Sequence, residues 1–119
     1  MFDKSLKELQ TDYIDNYLLH NIGMGDIDTF RRRFIDNGAA DWCLALREQK
    51  KIRNLGFSYH GDPRAFEWCM EHHDKYKWDF ALIQMNYVDW LHAKQVNERN
   101  LNAKYLYEEL TKRNIRVVI

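Results

Sequence analysis

Apolar residues fall along this chain in two alternating rhythms, one suited to helices and one to strands. In "DKSLKELQTD", Leu6 and Leu9 stand three apart among lysines and a glutamate, the spacing of a short amphipathic helix. "DYIDNYLLH" follows with β-branched and aromatic residues and predicts a strand. "GMGDID" supplies loop glycines and then acids suited to a helix N-terminus. Over residues 28 to 50, Phe30, Phe34, Trp42, Leu44 and Leu46 are spread among charges, which predicts helix broken at Asn37-Gly38. "KIRNLGFSY" predicts a second strand, and "HGDPRAFEWCMEHHDKY" a second helix with Asp62 as N-cap and Pro63 at its first position. "DFALIQMNYVDW" reads as a third strand. After a loop come a long helix in "NAKYLYEELTKRN" and a fourth strand in "IRVVI".

Strands that alternate with helices argue for parallel pairing through helical crossovers, a βαβαβαβ unit preceded by a helix. The last strand is the awkward one. "RVVI" on an open edge is an aggregation liability. A doubly wound sheet covers it only by placing it centrally, whereas a closed barrel covers it with a further strand, and the barrel fits the chain ends better.

The 119 residues suit one domain, and an apolar share of 45% is enough for a core. Eighteen basic side chains balance eighteen acidic ones, so no global field draws the chain to nucleic acid or an anionic membrane. No leader-like apolar region opens the sequence and no apolar run reaches the ~18 residues of a membrane span, so a soluble, cytoplasmic protein is expected. Cys43 and Cys69 lie in helical stretches without metal-ligand spacing and are expected as reduced core thiols.

"SLKELQTDYIDNYLLH", "KKIRNLGFSYHG" and "FALIQMNYVDW" resemble consecutive segments of the aldo-keto reductases. The bacterial branch that often carries a C-terminal iron–sulfur extension is the most similar. The resemblance runs over the whole chain and implies a partial (β/α)8 barrel. Residues 1–119 would be one segment covering about strands four to seven, without the N- and C-terminal parts. It implies carbonyl reduction by hydride from NADPH or NADH on a small carbonyl substrate. His20 matches the histidine of the family's Asp, Tyr, Lys and His tetrad. Ser58 and Gln84 match residues that hold the nicotinamide carboxamide, a task for which a hydroxyl and an amide are chemically suited. Strand alternation groups His20 with Leu18 and Asn16, Ser58 with Gly56, and Gln84 with Leu82 on an inward face, while Ile83 and Met85 face outward. The tetrad Asp, Tyr and Lys belong to earlier strands, so the chain alone is expected to be inactive.

The sequence departs from the family pattern at three places, Tyr59, Lys50 and Asn16. Tyr59 replaces an asparagine that follows the serine, and His60 has no assigned role. Lys50 replaces a glycine, at a cost of ~1–2 kcal/mol if the backbone there is left-handed. Asn16 sits at an inward position usually filled by an aliphatic residue and calls for a partner. Other constellations read as ordinary surface or core. His72 and His73 point about 100° apart on a helix and do not share a metal, so no metal site is expected. "FRRRF" is flanked by Asp26, Asp28 and Asp36 and reads as a solvated face, and "GMGD" is no dinucleotide fingerprint. The tryptophans read as core, with Trp90 weighed as the lining of a substrate mouth. The rival to the reductase reading is a non-catalytic half-barrel that pairs with itself or another protein, a homo-oligomer covering the open strand edges.

Overall fold

The computed structural model describes residues 2–119. Helix α1 (Phe2–Leu9) leads into β1 (Ile14–Ile22), and α2 (Ile27–Phe30) runs on as a π-helical turn over Arg31–Ile35. Then come α3 (Ala39–Glu48), β2 (Ile52–Tyr59), α4 (Pro63–Glu71), α5 (His73–Tyr76) and β3 (Phe80–Leu82). Helices α6 (Tyr87–Val96) and α7 (Ala103–Lys112) precede β4 (Arg116–Val118). The four strands lie in the order β1-β2-β3-β4, all pairs parallel. This is the α/β alternation read from the sequence.

The local signals act where expected. Asp62 caps α4 by accepting the Arg64 N–H at 2.9 Å, with Pro63 in the first turn. Gly38, at φ 75, breaks the chain between the π turn and α3, while Asn37 accepts the Ala39 N–H. The third strand is shorter than its apolar run suggested. Asn86 accepts the N–H groups of both Val88 and Asp89 and starts α6, so "NYVDW" turns helical and the expected loop is a helix.

All of the helical core packs on one face of the sheet. Leu19, Phe57 and Ala81 form one row on that face and Ile22, Tyr59 and Ile83 the next, all buried. Phe30, Phe34, Leu46, Phe66, Leu106 and Leu110 come down on them from the helices. Fully burying such side chains stabilises by ~1.5–3 kcal/mol each. Cys43 and Cys69 are free and buried within this layer, and burial raises both thiols, Cys43 to about 11. The opposite face is open. Asn16, Leu18, Phe80, Leu82, Arg116 and Val118 line a groove along it. Asn16 is exposed there, and its side-chain oxygen accepts from Asn54 Nδ2 at 3.0 Å, which meets the partner requirement.

Three helices hand over to strands through the same C-terminal turn. In α3, the Lys51 N–H donates to Leu46 O and the Lys50 N–H to Arg47 O, a Schellman motif. Thr11 and Gln10 bond Leu6 and Lys7 in the same way after α1, and Ile115 and Asn114 bond Leu110 and Thr111 after α7. Each motif needs a left-handed residue, and here Gln10 (φ 54), Lys50 (φ 59) and Asn114 (φ 56) fill the place where glycine is least strained. Lys50→Gly removes a left-handed strain of ~1–2 kcal/mol and adds ~0.4–1 kcal/mol of chain entropy to the unfolded state. Strain relief wins, so chemical denaturation should show the variant more stable by about 0.5–1 kcal/mol; an unchanged or lower midpoint would contradict strain at this turn.

Candidate active site at the C-terminal ends of the strands

The loops that follow β1 and β2 are zipped together past the end of regular pairing. The His60 N–H donates to Ile22 O at 2.8 Å and the Asp62 N–H to Gly23 O at 3.0 Å. This approach leaves no room for side chains: a Cβ on Gly23 (φ +90) would lie 2.3 Å from His60 O. Glycine is therefore required there on two grounds, its backbone conformation and its lack of a side chain. Asp62 is buried under the turn, and its hydrogen bonds from Arg64 hold its carboxyl below the usual range.

His20 sits inside β1, two residues before its end, at the start of an irregularity in the ladder. Leu19 pairs with Phe57, but Ile22 pairs with Tyr59, so β1 carries one more residue than β2 over this step. Asn21 takes the strain, at φ 62, a conformation that asparagine tolerates better than most residues. With Leu19 and Ile22 buried under the helices, His20 is left exposed.

Ser58 stands opposite this bulge and is only 2% exposed. Its hydroxyl oxygen accepts the Asn21 N–H at 2.8 Å. One lone pair thus replaces the ladder acceptor that the bulge takes away, while the hydroxyl hydrogen keeps its freedom to donate. Gln84 lies two residues beyond Leu82, the partner of Ser58, and is exposed at the mouth of a small cavity with His60. The three residues picked out in the sequence thus occupy the C-terminal regions of β1, β2 and β3, which are neighbours in the sheet.

Tyr59 faces the other way. It is buried against Phe66 at a ring separation of 5.2 Å, and its hydroxyl donates to Gly61 O at 2.8 Å. Burial pushes the phenol well above its usual range, so Tyr59 is a core residue and no stand-in for an amide on the open face. Trp90 belongs to α6, near Tyr107, and lines an apolar recess with Met85, Tyr87 and Ile119 at the β4 edge. The side chains of Arg32 and Arg33 turn to their own neighbours, Thr29 and the Phe34 ring, in keeping with a solvated face. His72 stacks on Trp68 at 3.8 Å. Among the described residues, no group of three or more histidine, cysteine or acidic side chains is placed to hold a metal ion.

The sequence reading passed over Asn21 and the pair Asn86 and Asp89. An asparagine directly after a strand-end histidine was the signal for a left-handed bulge residue, and "NYVD" for an N-capped helix start.

The family model described as the aldo/keto reductase family matches residues 1–119, the whole chain. The chain belongs to the aldo/keto reductase family. No protein of curated function matches it. Among solved structures, it is similar to the aldo-keto reductase AKR11C1 from Bacillus halodurans in its holo form. The TM-score is 0.70 at 21% identity, over 98% of this chain and 32% of that one. An aldo/keto reductase from Brucella melitensis is similar at TM-score 0.62 and 22% identity, over 98% of this chain and 37% of that one. The chain spans about a third of the length of these structures. Its four parallel strands and their helices therefore match part of the aldo-keto reductase TIM-barrel fold.

Within this reductase-family sheet Ser58 already has a structural task. Ser58→Ala leaves the half-buried Asn21 N–H without its acceptor. Chemical denaturation should register a loss of about 1 kcal/mol, the low end of the penalty for an orphaned donor because Asn21 keeps some contact with water. No loss would mean that the bulge finds another acceptor.

Proposed function

We propose that these 119 residues are the central segment of an NAD(P)H-dependent aldo-keto reductase. They would supply strands four to seven of its (β/α)8 barrel, with the N- and C-terminal parts of the barrel contributed by other segments. The observation that carries this reading is the placement of His20, Ser58 and Gln84 at the C-terminal ends of neighbouring parallel strands, the end where barrel enzymes build their active sites. Two buried free thiols accord with a cytoplasmic protein.

The residues fit a nicotinamide. The Ser58 hydroxyl spends a lone pair on Asn21 and retains its hydrogen, which suits the carboxamide oxygen. The Gln84 side-chain oxygen, exposed at the strand end, suits the carboxamide NH2. A bound NADPH or NADH supplies hydride. His20, exposed and unencumbered by core packing, donates an imidazole N–H to the substrate carbonyl oxygen and so stabilises the negative charge that builds there. The substrate is a small carbonyl compound. The acid that protonates the oxygen, a tyrosine with its lysine and aspartate in this family, lies outside these residues.

In the complete reductase, His20→Ala should lower kcat by on the order of 100-fold, as loss of one oxyanion donor does. Ser58→Ala and Gln84→Ala should chiefly weaken NADPH binding. The isolated chain should oxidise no NADPH above buffer with reactive aldehydes; turnover that disappears in His20→Ala would overturn the claim that the chain is incomplete as a catalyst.

A second reading is favoured by the open face of the sheet. Parallel sheets are normally covered on both sides. Here Leu18, Phe80 and Leu82 line an uncovered groove, and the edge residues Val118 and Ile119 are 42% and 72% exposed. A half-barrel that pairs with a second copy would cover both face and edges without catalysis. Sedimentation equilibrium of the isolated chain should then give a discrete dimer, whereas a monodisperse monomer would remove this reading.

A further inference from the structure

The stretch "NERNLN", residues 97–102, joins α6 to α7, and its asparagines shape it. The Asn97 side-chain oxygen accepts the Arg99 N–H at 2.9 Å, and the Asn97 carbonyl accepts the Asn100 N–H at 2.9 Å, a tight turn of the kind asparagine favours. At the far end, Asn102 Oδ1 accepts the Ala93 N–H at 3.2 Å, one residue after the kink at His92 in α6. Asn100 and Leu101 line the same small cavity as Gln84, His60 and Gly61. The stretch therefore lies beside the C-terminal ends of β2 and β3, next to groups of the candidate site.

Arg99 reaches out of this turn. Its Nη1 donates to Gly25 O at 3.2 Å, 74 residues back along the chain, in the loop after β1. Its charge also acts on the buried Asp62 carboxylate in the turn after β2, where Arg64 makes the direct bonds. One side chain thus joins the segment beside Gln84 to the loop that leaves the strand of His20. An exposed arginine resting on a carbonyl is ordinarily of little consequence. Here both ends of the contact are held: the Asn97 turn fixes the Arg99 backbone, and the loop after β1 is tied at Gly23 O to the Asp62 N–H. A bond between groups already in place costs little ordering entropy, and a charged donor strengthens it.

We propose that Arg99 is a positioning residue for the candidate site: its bond to Gly25 O clasps residues 97–102 to the loop after β1, and so keeps the Gln84 side of the site at a fixed spacing from the His20 side. The arginine end of the clasp is a single exposed bond and is the end that opens, while Asn102 keeps the other end on α6. What the spacing serves rests on the reductase reading above; the clasp itself does not.

Amide exchange and carbonyl resonances of the 119-residue chain test the clasp. Arg99→Ala should speed exchange at positions 99 and 100 by about 2- to 10-fold, the effect of losing one hydrogen bond, with the amides of β1 and β2 unchanged. The Gly25 carbonyl-carbon resonance should move as its donor leaves. Arg99→Lys keeps a long cationic donor that one carbonyl accepts equally well, and it should restore both readings. Unchanged exchange, an unmoved Gly25 carbonyl, or a lysine variant no different from alanine overturns the clasp. In the complete reductase, Arg99→Ala should lower kcat by about 10-fold, a fraction of what a 1 Å misplacement costs, with NADPH affinity held and lysine again restoring the rate. An unchanged kcat, or a loss confined to NADPH affinity, overturns the positioning role. If the exchange results hold but the complete wild-type protein oxidises no NADPH with small aldehydes, the reductase reading fails and the clasp stands.

Discussion

The packing of the helical core onto one face of a parallel sheet sets the terms for the rest of this structure. Side chains alternate along a strand, so each residue that is driven under the helices turns its neighbour to the other face. Leu19, Phe57 and Ala81 form one buried row, and the next residues along, His20, Ser58 and Leu82, are directed away from the helical layer. The candidate site is thus a by-product of core packing. The hydrophobic effect on the helix side orients polar groups that take no part in it.

The two ends of the sheet are built for different purposes. At the N-terminal ends, the turns repeat: α1, α3 and α7 each close with the same paired hydrogen bonds, with strain accepted at Gln10, Lys50 and Asn114. Arg47 reinforces that end by donating to Tyr76 O, Lys77 O and Asp79, while Asp79 accepts the Leu55 N–H and prolongs the β2–β3 pairing. At the C-terminal ends, each strand finishes differently. β1 bulges at Asn21, β2 turns through His60 and Gly61 against Gly23, and β3 stops after three residues so that Asn86 can cap a helix. Such irregularity at one end over a regular other end is the division of labour of the barrel fold, in which stability resides at one face and chemistry at the other.

Ser58 shows how the two demands meet in one side chain. Its oxygen repairs the ladder where the bulge removes an acceptor. Changing it therefore disturbs the backbone of the bulge beside His20. Asn86 also has more than one task after the next strand: its side chain caps α6 and donates to the Asp89 carboxylate.

Much of the architecture was legible because it is encoded by neighbours in sequence. Apolar spacing, Pro63 after Asp62, and the Asn37-Gly38 break act within a turn or two of chain, and each marks a real boundary. His20, Ser58 and Gln84 stood out through family motifs, and each lies in or just beyond the C-terminal part of its strand. What local pattern did not disclose depends on partners far along the chain. The start of α6 is an exception, since Asn86 caps it from two and three residues away, while packing of α6 against α7 is the longer-range part. The bulge at Asn21 exists because Ser58, 37 residues away, supplies an acceptor. Asp89 lines a cavity together with residues from Tyr59 to Leu106. The sequence by itself determined four strands, most of the helices, their order and the chemical groups at the strand ends, since backbone preference and periodicity are short-ranged. Only the tertiary structure decided the bulge, the one-sided burial and the polar cavity, since each arises from contacts between segments that share no local signal.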